Sequence, residues 1–366
     1  MLEQPSIKTG LPLYIDEAAR TSREAVGIVR SDVVRLLEEW SGSYGVRGSG
    51  DGGTDGNGGY GLGDAGGSGE VALADRAQLV RAALTVHNDG VVLAVASTEA
   101  QRTARLEALL VSFRDAADVA LLAPSKWRGE RYSVWDARGH VALRVERAAA
   151  GLLGVRVYGC HLNAYCHLPI PSTSSNDTNP YPSNLLNTHD NMRMWVARRS
   201  FSKQTYPGML DNMVLASSFP PVAGGLPHGL SPTENIIKEC AEEANLVFSS
   251  LADYERPRPV SVITSFMDSQ ERGWVPDTEF IFDIKLPPSF VPVCQDGEVH
   301  GFELLSIDQV SKHLLNGEFM PESALCVIDF LIRHGFIDPS TEPGYMNIIS
   351  GIHRPLPFPG PRYNFK

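Results

Sequence analysis

The sequence predicts an α/β protein: a mixed sheet sandwiched between helices, preceded by a small α+β domain. Three observations support this. In the C-terminal half, apolar runs such as "VSVITSFMD", "TEFIFDIKL" and "GFELLSIDQV" read as strands, interleaved with only two clear helices. In the N-terminal half, "LVRAALTVHNDGVVLAVA" reads as strands around an Asn88-Asp89-Gly90 turn, and "TEAQRTARLEALLVSFRDA" has helical spacing behind a polar start. At "VYGCHLNAYCHLPI" the texture changes to strands with long polar loops.

Along the chain, residues 1–21 read as an N-terminal tail and 22–158 as the small α+β domain. Within that domain, 22–40 has helical spacing in Val26, Val29, Val33, Leu36, Leu37 and Trp40. Residues 42–69 are half glycine and read as a flexible insert. Their "GLGDAG" has the form of a dinucleotide loop but lacks the strand before it and the helix after it. Residues 159–338 form the larger α/β domain, carrying a second polar insert at 171–192, and 339–366 read as a C-terminal tail.

The formal charge of −11 argues against a nucleic-acid backbone as partner, because that work needs clustered Lys and Arg. An acidic protein that handles phosphates calls for a divalent cation to offset the repulsion. The N-terminus has no basic stretch followed by an apolar core, and no apolar run approaches the ~20 residues of a membrane span. The expectation is a cytoplasmic protein with no membrane partner. In "CHLNAYCH", strand alternation sends Cys160 and Cys166 one way and His161 and His167 the other, so four zinc ligands do not converge.

The stretch that carries chemistry is "AGGLPHGLSPTENIIKECAEEANL", residues 223–246. Ser231 is a good N-cap, Pro232 suits the first helical position and Glu234 completes a capping box. The helix should run from about Pro232 to Ala244, with Asn245 as a left-handed C-terminal cap. At about 100° per residue, Glu239, Glu242 and Glu243 share an arc of about 100°. Such a trio is either a solvated face or a hard-oxygen metal site, and helical spacing alone does not choose between them.

The whole block resembles the Nudix signature, G-x5-E-x7-R-E-U-x-E-E-x-G-U with U aliphatic. Without a gap, Gly224 falls on the opening glycine, Glu239 on the Glu after Arg, Glu242 and Glu243 on the E-E pair, and Leu246 on the last aliphatic place. The chain departs from it at Leu230 (Glu in the signature), Lys238 (Arg), Cys240 (aliphatic) and Asn245 (Gly). "WVARRSFSKQTYPGMLDNMV", "DGEVHGFELLSIDQV" and "VIDFLIRHGFI" are similar to the fungal and plant Nudix branch labelled thiamine-pyrophosphokinase-related, in which a small N-terminal domain precedes the hydrolase. Relative to that branch, "LASSFPP" at 215–221 is an extension ahead of the glycine loop.

The resemblance implies a Nudix α/β/α sandwich and a metal-dependent diphosphatase. Glu239, Glu242 and Glu243 would hold Mg²⁺ or Mn²⁺, and Glu243 or Glu298 would be the base. The implied substrate is a small-molecule diphosphate, in particular oxidised or damaged thiamine diphosphate, taken to the monophosphate. Arg198, Arg199 and Lys203 are candidates for gripping phosphate, Tyr206 and Asp211 for contacting the ring, and Gly224 and Gly225 for lining the substrate loop. The alternatives are a Nudix hydrolase of nucleoside diphosphate derivatives such as ADP-ribose, or a non-catalytic binding module on the same scaffold. A homodimer is left open.

Overall fold

The computed structural model describes residues 10–15, 17–41, 78–93, 98–116, 119–169, 191–216, 231–248, 256–269, 272–295, 297–356 and 358–361. The inserts at 42–69 and 171–190, the glycine loop with Gly224, Gly225 and Leu230, and residues 217–221 lie outside the described residues.

The N-terminal unit contains β1 (Gly10–Tyr14), α1 (Glu17–Ser22), β2 (Gly27–Arg30), α2 (Ser31–Ser41), a helical segment α3 (78–83), β3 (Leu84–His87), β4 (Gly90–Leu93), α4 (Glu99–Asp115), β5 (Arg131–Trp135), β6 (Val141–Glu146) and the short α5 (Ala150–Leu153). Four strands form a sheet in the order β2-β1-β4-β3, and β5 pairs with β6. The Asn88-Asp89 turn joins β3 to β4, and Thr98 caps α4 by accepting from the Gln101 amide at 3.2 Å.

Two expectations change here. Residues 10–15 and 17–21, within the segment expected as a tail, are not one, since β1 is an inner strand with Leu13 fully buried. Residues 22–40 are not one helix: Val29 pairs with Leu11 in β2, and the helix starts at Ser31. Apolar positions three and four apart fit a helix, but the β-branched "GIV" run has a strand partner that the local pattern does not reveal.

The C-terminal unit contains β7 (Val157–His167), β8 (Met192–Arg199), β9 (Leu210–Asn212), β10 (Val214–Ala216), α6 (Pro232–Ala244), β11 (Arg258–Ser269), β12 (Gly273–Lys285), β13 (Val299–Ser306), α7 (Ile307–Leu315), α8 (Pro321–Arg333) and α9 (Tyr345–Ile352). The sheet order is β11-β12-β7-β8-β13, with β12 and β7 parallel and the remaining pairs antiparallel. This is the expected mixed sheet with helices on both faces. Ile236, Cys240 and Ala244 of α6 pack on Cys160, Leu162, Phe282 and Ile284 on one face. Val310 of α7 and Val327 and Phe330 of α8 pack on Met194 and Val196 on the other. The C-terminal segment is not a free tail either: α9 buries Ile352, and His353 bridges to Thr264 of β11.

Two features position the site. Strands β7 and β8 pair only from Ala164 to His167, and then diverge. In the opening, β10 continues along β7 and β9 along β8, bringing residues 210–216 between them. Leu215 and Ala216, expected as the start of a loop extension, are therefore strand residues.

The second feature is the junction between the units. A Cβ at Gly151 of α5 would stand 1.6 Å from the Arg272 carbonyl oxygen, so only glycine lets the two backbones meet. The facing Gly273, at φ 78°, begins β12 in the left-handed region.

Candidate active site

Helix α6 forms as the local chemistry dictates. The Ser231 hydroxyl accepts from the Glu234 amide, and the Glu234 carboxylate accepts from the Ser231 amide at 2.7 Å. Asn245 closes the helix at φ 55°. The acidic arc is then divided by burial: Glu239 and Glu243 are buried and Glu242 is exposed.

Each of the three has a defined neighbour. Lys238 lies between two of them, with its ammonium 2.5 Å from Glu242 and 3.5 Å from Glu239. The Glu243 carboxylate accepts from the Leu215 amide of β10 at 3.1 Å. Burial, reinforced by the charges of Glu242 and Glu298 and opposed by Lys238, pushes the Glu239 carboxyl up to about 7. Burial first, and the neighbouring carboxylates after it, make this one resist ionising.

Glu243, Glu298, Arg199, Lys203 and Asp211 line one small crevice of about 20 Å³. Five candidates from separate parts of the sequence thus meet at the divergence of β7 and β8. Glu298 is ion-paired with Lys203, and its carbonyl accepts from the Ser200 amide. Arg199 holds Asp211 at 2.7 Å, and Ser323 of α8 donates to the other Asp211 oxygen at 2.5 Å.

Other expectations are corrected. Arg198 is adjacent to Arg199, so strand alternation sends it to the other face, where it binds Glu303 and the Gly208 carbonyl. It does not line the crevice. Asp211 is in place but buried, with its oxygens engaged by Arg199, Ser323 and the Asn212 amide, so it acts as a brace rather than a contact for a ring. Tyr206, held at φ 52°, lines a larger cavity next to the crevice. Gly224 and Gly225 lie outside the described residues.

For a metal ion, the donor chemistry of the acidic arc fits a hard divalent cation, being carboxylate oxygen throughout. The Lys238 ammonium already occupies a cation position between two of the carboxylates. Among the described residues, however, no group of three His, Cys, Asp or Glu side chains is gathered as a metal site.

The second acidic group was not foreseen. The larger cavity, about 290 Å³, shares Arg199 and Leu215 with the crevice and reaches Asp277, Glu279 and Glu322. Its signal lay in "WVPDTEFIFD", where carboxylates at 277, 279 and 283 recur with strand period on one side of an otherwise apolar strand.

The family described as a domain of unknown function, DUF4743, matches residues 75–157. An uncharacterized protein of Saccharomyces cerevisiae is 36% identical over 242 residues, which is 64% of this chain and 63% of that protein. Nudix hydrolase 24, chloroplastic, of Arabidopsis thaliana is 38% identical over 207 residues, 56% of this chain and 47% of that protein. The chain thus spans about half to two thirds of the length of these relatives. Among solved structures, a C. elegans Ap4A hydrolase aligns over 50% of this chain and 99% of its own, at 13% identity and a TM-score of 0.31. Among the described residues no helix is long and apolar enough to cross a membrane.

Proposed function

We propose that this chain, related in sequence to the Nudix hydrolases, is a divalent-metal-dependent pyrophosphohydrolase of small-molecule diphosphates. The observation that carries the reading is the crevice, where Glu243 of the signature-like helix meets Glu298, Lys203 and Arg199. That combination offers carboxylates for a cation and a base, with cations beside them for phosphate oxygens.

Glu239, Glu242 and Glu243 would hold Mg²⁺ or Mn²⁺, the ion taking the place of the Lys238 ammonium. When bound, such an ion polarises a water molecule and offsets charge on the diphosphate. Glu298, half exposed at the crevice and within reach of Lys203, is placed to take the proton from the attacking water. Lys203, released from Glu298, can follow a phosphate oxygen as a mobile point charge. Arg199, fixed by Asp211, provides a stationary positive charge at the same point. Arg198 has no part in this.

The finer reading, that the substrate is an oxidised or damaged thiamine diphosphate converted to its monophosphate, is supported by the sequence resemblance to the thiamine-pyrophosphokinase-related branch. The cavity beside the crevice is large enough for a ring. The test is hydrolysis of oxidised thiamine diphosphate, thiamine diphosphate and ADP-ribose, with Mg²⁺, with Mn²⁺ and with chelator, read as release of inorganic phosphate from the two thiamine compounds and of AMP and ribose 5-phosphate from ADP-ribose. We expect metal-dependent release that is greatest for oxidised thiamine diphosphate and falls by about 10²-fold or more in the Glu239→Gln, Glu243→Gln double variant. A preference for ADP-ribose would overturn the thiamine assignment. No release from any diphosphate, or a double variant as active as wild type, would overturn the hydrolase reading itself.

A further inference from the structure

Helix α8 begins where the chain runs alongside β9. The Leu210 amide donates to the Glu318 carbonyl at 2.9 Å, and the Met320 amide donates to the Leu210 carbonyl at 2.8 Å. Pro321 then opens the helix at a position where its missing N–H is no loss. Ser323 follows on the face that carries Cys326, Val327 and Phe330, and all four are fully buried. Packing alone does not ask for a serine there. Alanine is the better helix former and fills nearly the same space without taking a hydroxyl out of water.

The Ser323 hydroxyl donates away from its own helix, to Asp211 Oδ1 on β9 at 2.5 Å. The Asn212 amide donates to the same oxygen at 2.8 Å. With Oδ1 held from two sides, Asp211 Oδ2 is aimed at Arg199 Nη1, 2.7 Å away. Asp211 and Arg199 are both at least nine-tenths buried, so neither can turn to bulk water for a replacement partner. A carboxylate anchored by one donor turns readily, because its terminal torsion is broad. Anchored by two donors, it passes a fixed direction on to the guanidinium.

That direction matters because Arg199 is gripped on part of its donor edge only. Nη1 donates to Asp211 and Nη2 to the Thr205 carbonyl at 3.2 Å, while Nε has no hydrogen-bond partner. Arg199 lines both the crevice and the larger cavity, whereas Ser323 lines neither. A guanidinium takes phosphate oxygens through parallel N–H groups in one plane, so a tilt of that plane loses bonds even when the charge stays in place.

We propose that Ser323 is a positioning residue for the diphosphate site, holding Arg199 through Asp211 in the orientation that presents its remaining N–H groups to phosphate oxygens. This rests on the diphosphatase reading of the crevice. The first turn of α8 thereby belongs to the site, although it touches no substrate.

The test uses the full chain with Mg²⁺ and methylenediphosphonate, a diphosphate whose bridging carbon prevents hydrolysis, and measures binding by titration calorimetry. Ser323→Ala should weaken binding about ten-fold, the scale of a lost hydrogen bond to a charged group, and Ser323→Thr, which keeps the hydroxyl, by less than about three-fold. Arg199→Lys keeps the charge without the planar fork, so adding Ser323→Ala to it should weaken binding by less than about two-fold more. If Ser323→Thr folds poorly, the pair of Ser323→Ala measurements decides. The proposal is overturned if Ser323→Ala binds like wild type. It is also overturned if Ser323→Ala costs as much in the Arg199→Lys chain as in wild type, which is what a merely structural loss would do. Wild type that neither binds methylenediphosphonate nor hydrolyses any diphosphate would remove the diphosphatase reading and this proposal with it. Wild-type binding that Ser323→Ala leaves unchanged would overturn the proposal alone.

Discussion

Two acidic groups lie on either side of Arg199 and Leu215, and they handle charge differently. On α6, Glu243 lines a small crevice, and its helix neighbours Glu239 and Glu242 share a partly exposed lysine as their cation. In the cavity, Asp277, Glu279 and Glu322 are all buried, and Arg272 is paired with Glu322. Burial, together with Glu279 and Glu322, holds Asp277 well above the usual carboxylate range, so this group carries its own proton. The first arrangement can exchange one cation for another at little cost. The second is committed, because its cation is paired with a carboxylate that is itself buried.

The largest effect is expected where the committed group loses its cation. Arg272→Met leaves Glu322 buried and unpaired beside two further acids, and should cost about 3–5 kcal/mol in urea unfolding. A loss under about 1 kcal/mol would mean that the cavity is wetter than its burial indicates. Next is the junction itself. Gly151→Ala places a Cβ against the Arg272 carbonyl, and overpacking of this kind should cost about 1–3 kcal/mol. It should also disturb the junction while α6 and its crevice stay intact.

The proton on Asp277 gives a pH signature. Its folded pKa is raised above the ordinary aspartate value of 3.8, so between 3.8 and that folded pKa the native state binds more protons than the unfolded chain. Stability from this group is fully present below 3.8 and is lost as pH rises through the folded pKa. Asp277→Asn should therefore flatten the fall in unfolding free energy from about pH 4 upward. An unchanged slope would show that Asp277 does not retain its proton. The smallest effect is expected on the helix: Lys238→Met removes an exposed i,i+4 partner of Glu242 and should change stability by about 0.3–0.5 kcal/mol. A cost as large as that of Arg272→Met would erase the contrast between the two acidic groups.

The helical acidic group was readable because everything that makes it lies within one 13-residue helix and its two caps. Ser231, Pro232 and Glu234 start the helix, Asn245 ends it, and the 3.6-residue period places the carboxylates between those caps. The mixed sheet with helices on both faces was readable from alternation and length. The boundaries were less so. Residues 10–14 became an inner strand because β2 and β4 on either side supply hydrogen bonds that no local window contains. Arg198 and Arg199, equivalent as a sequence pair, were separated by the pleat of β8.

What the sequence determined by itself is therefore local: the capped helix, its acidic arc, the strand periods and the signature offsets. These depend on dihedral preferences and on spacings within a few residues. What only the tertiary structure decided is which distant groups share a space. Glu298 reached Glu243 within the C-terminal unit, while Asp277 and Glu279 came to share a cavity with Tyr132, and Gly151 met Arg272, because the two units pack at a junction where only glycine lets the backbones meet. A carboxylate on a strand reads as a surface residue until a second unit covers it. Burial is a property of the assembled fold, and only the assembled fold shows that five of the six carboxylates in the two acidic groups are buried and that Glu242 alone of them is exposed.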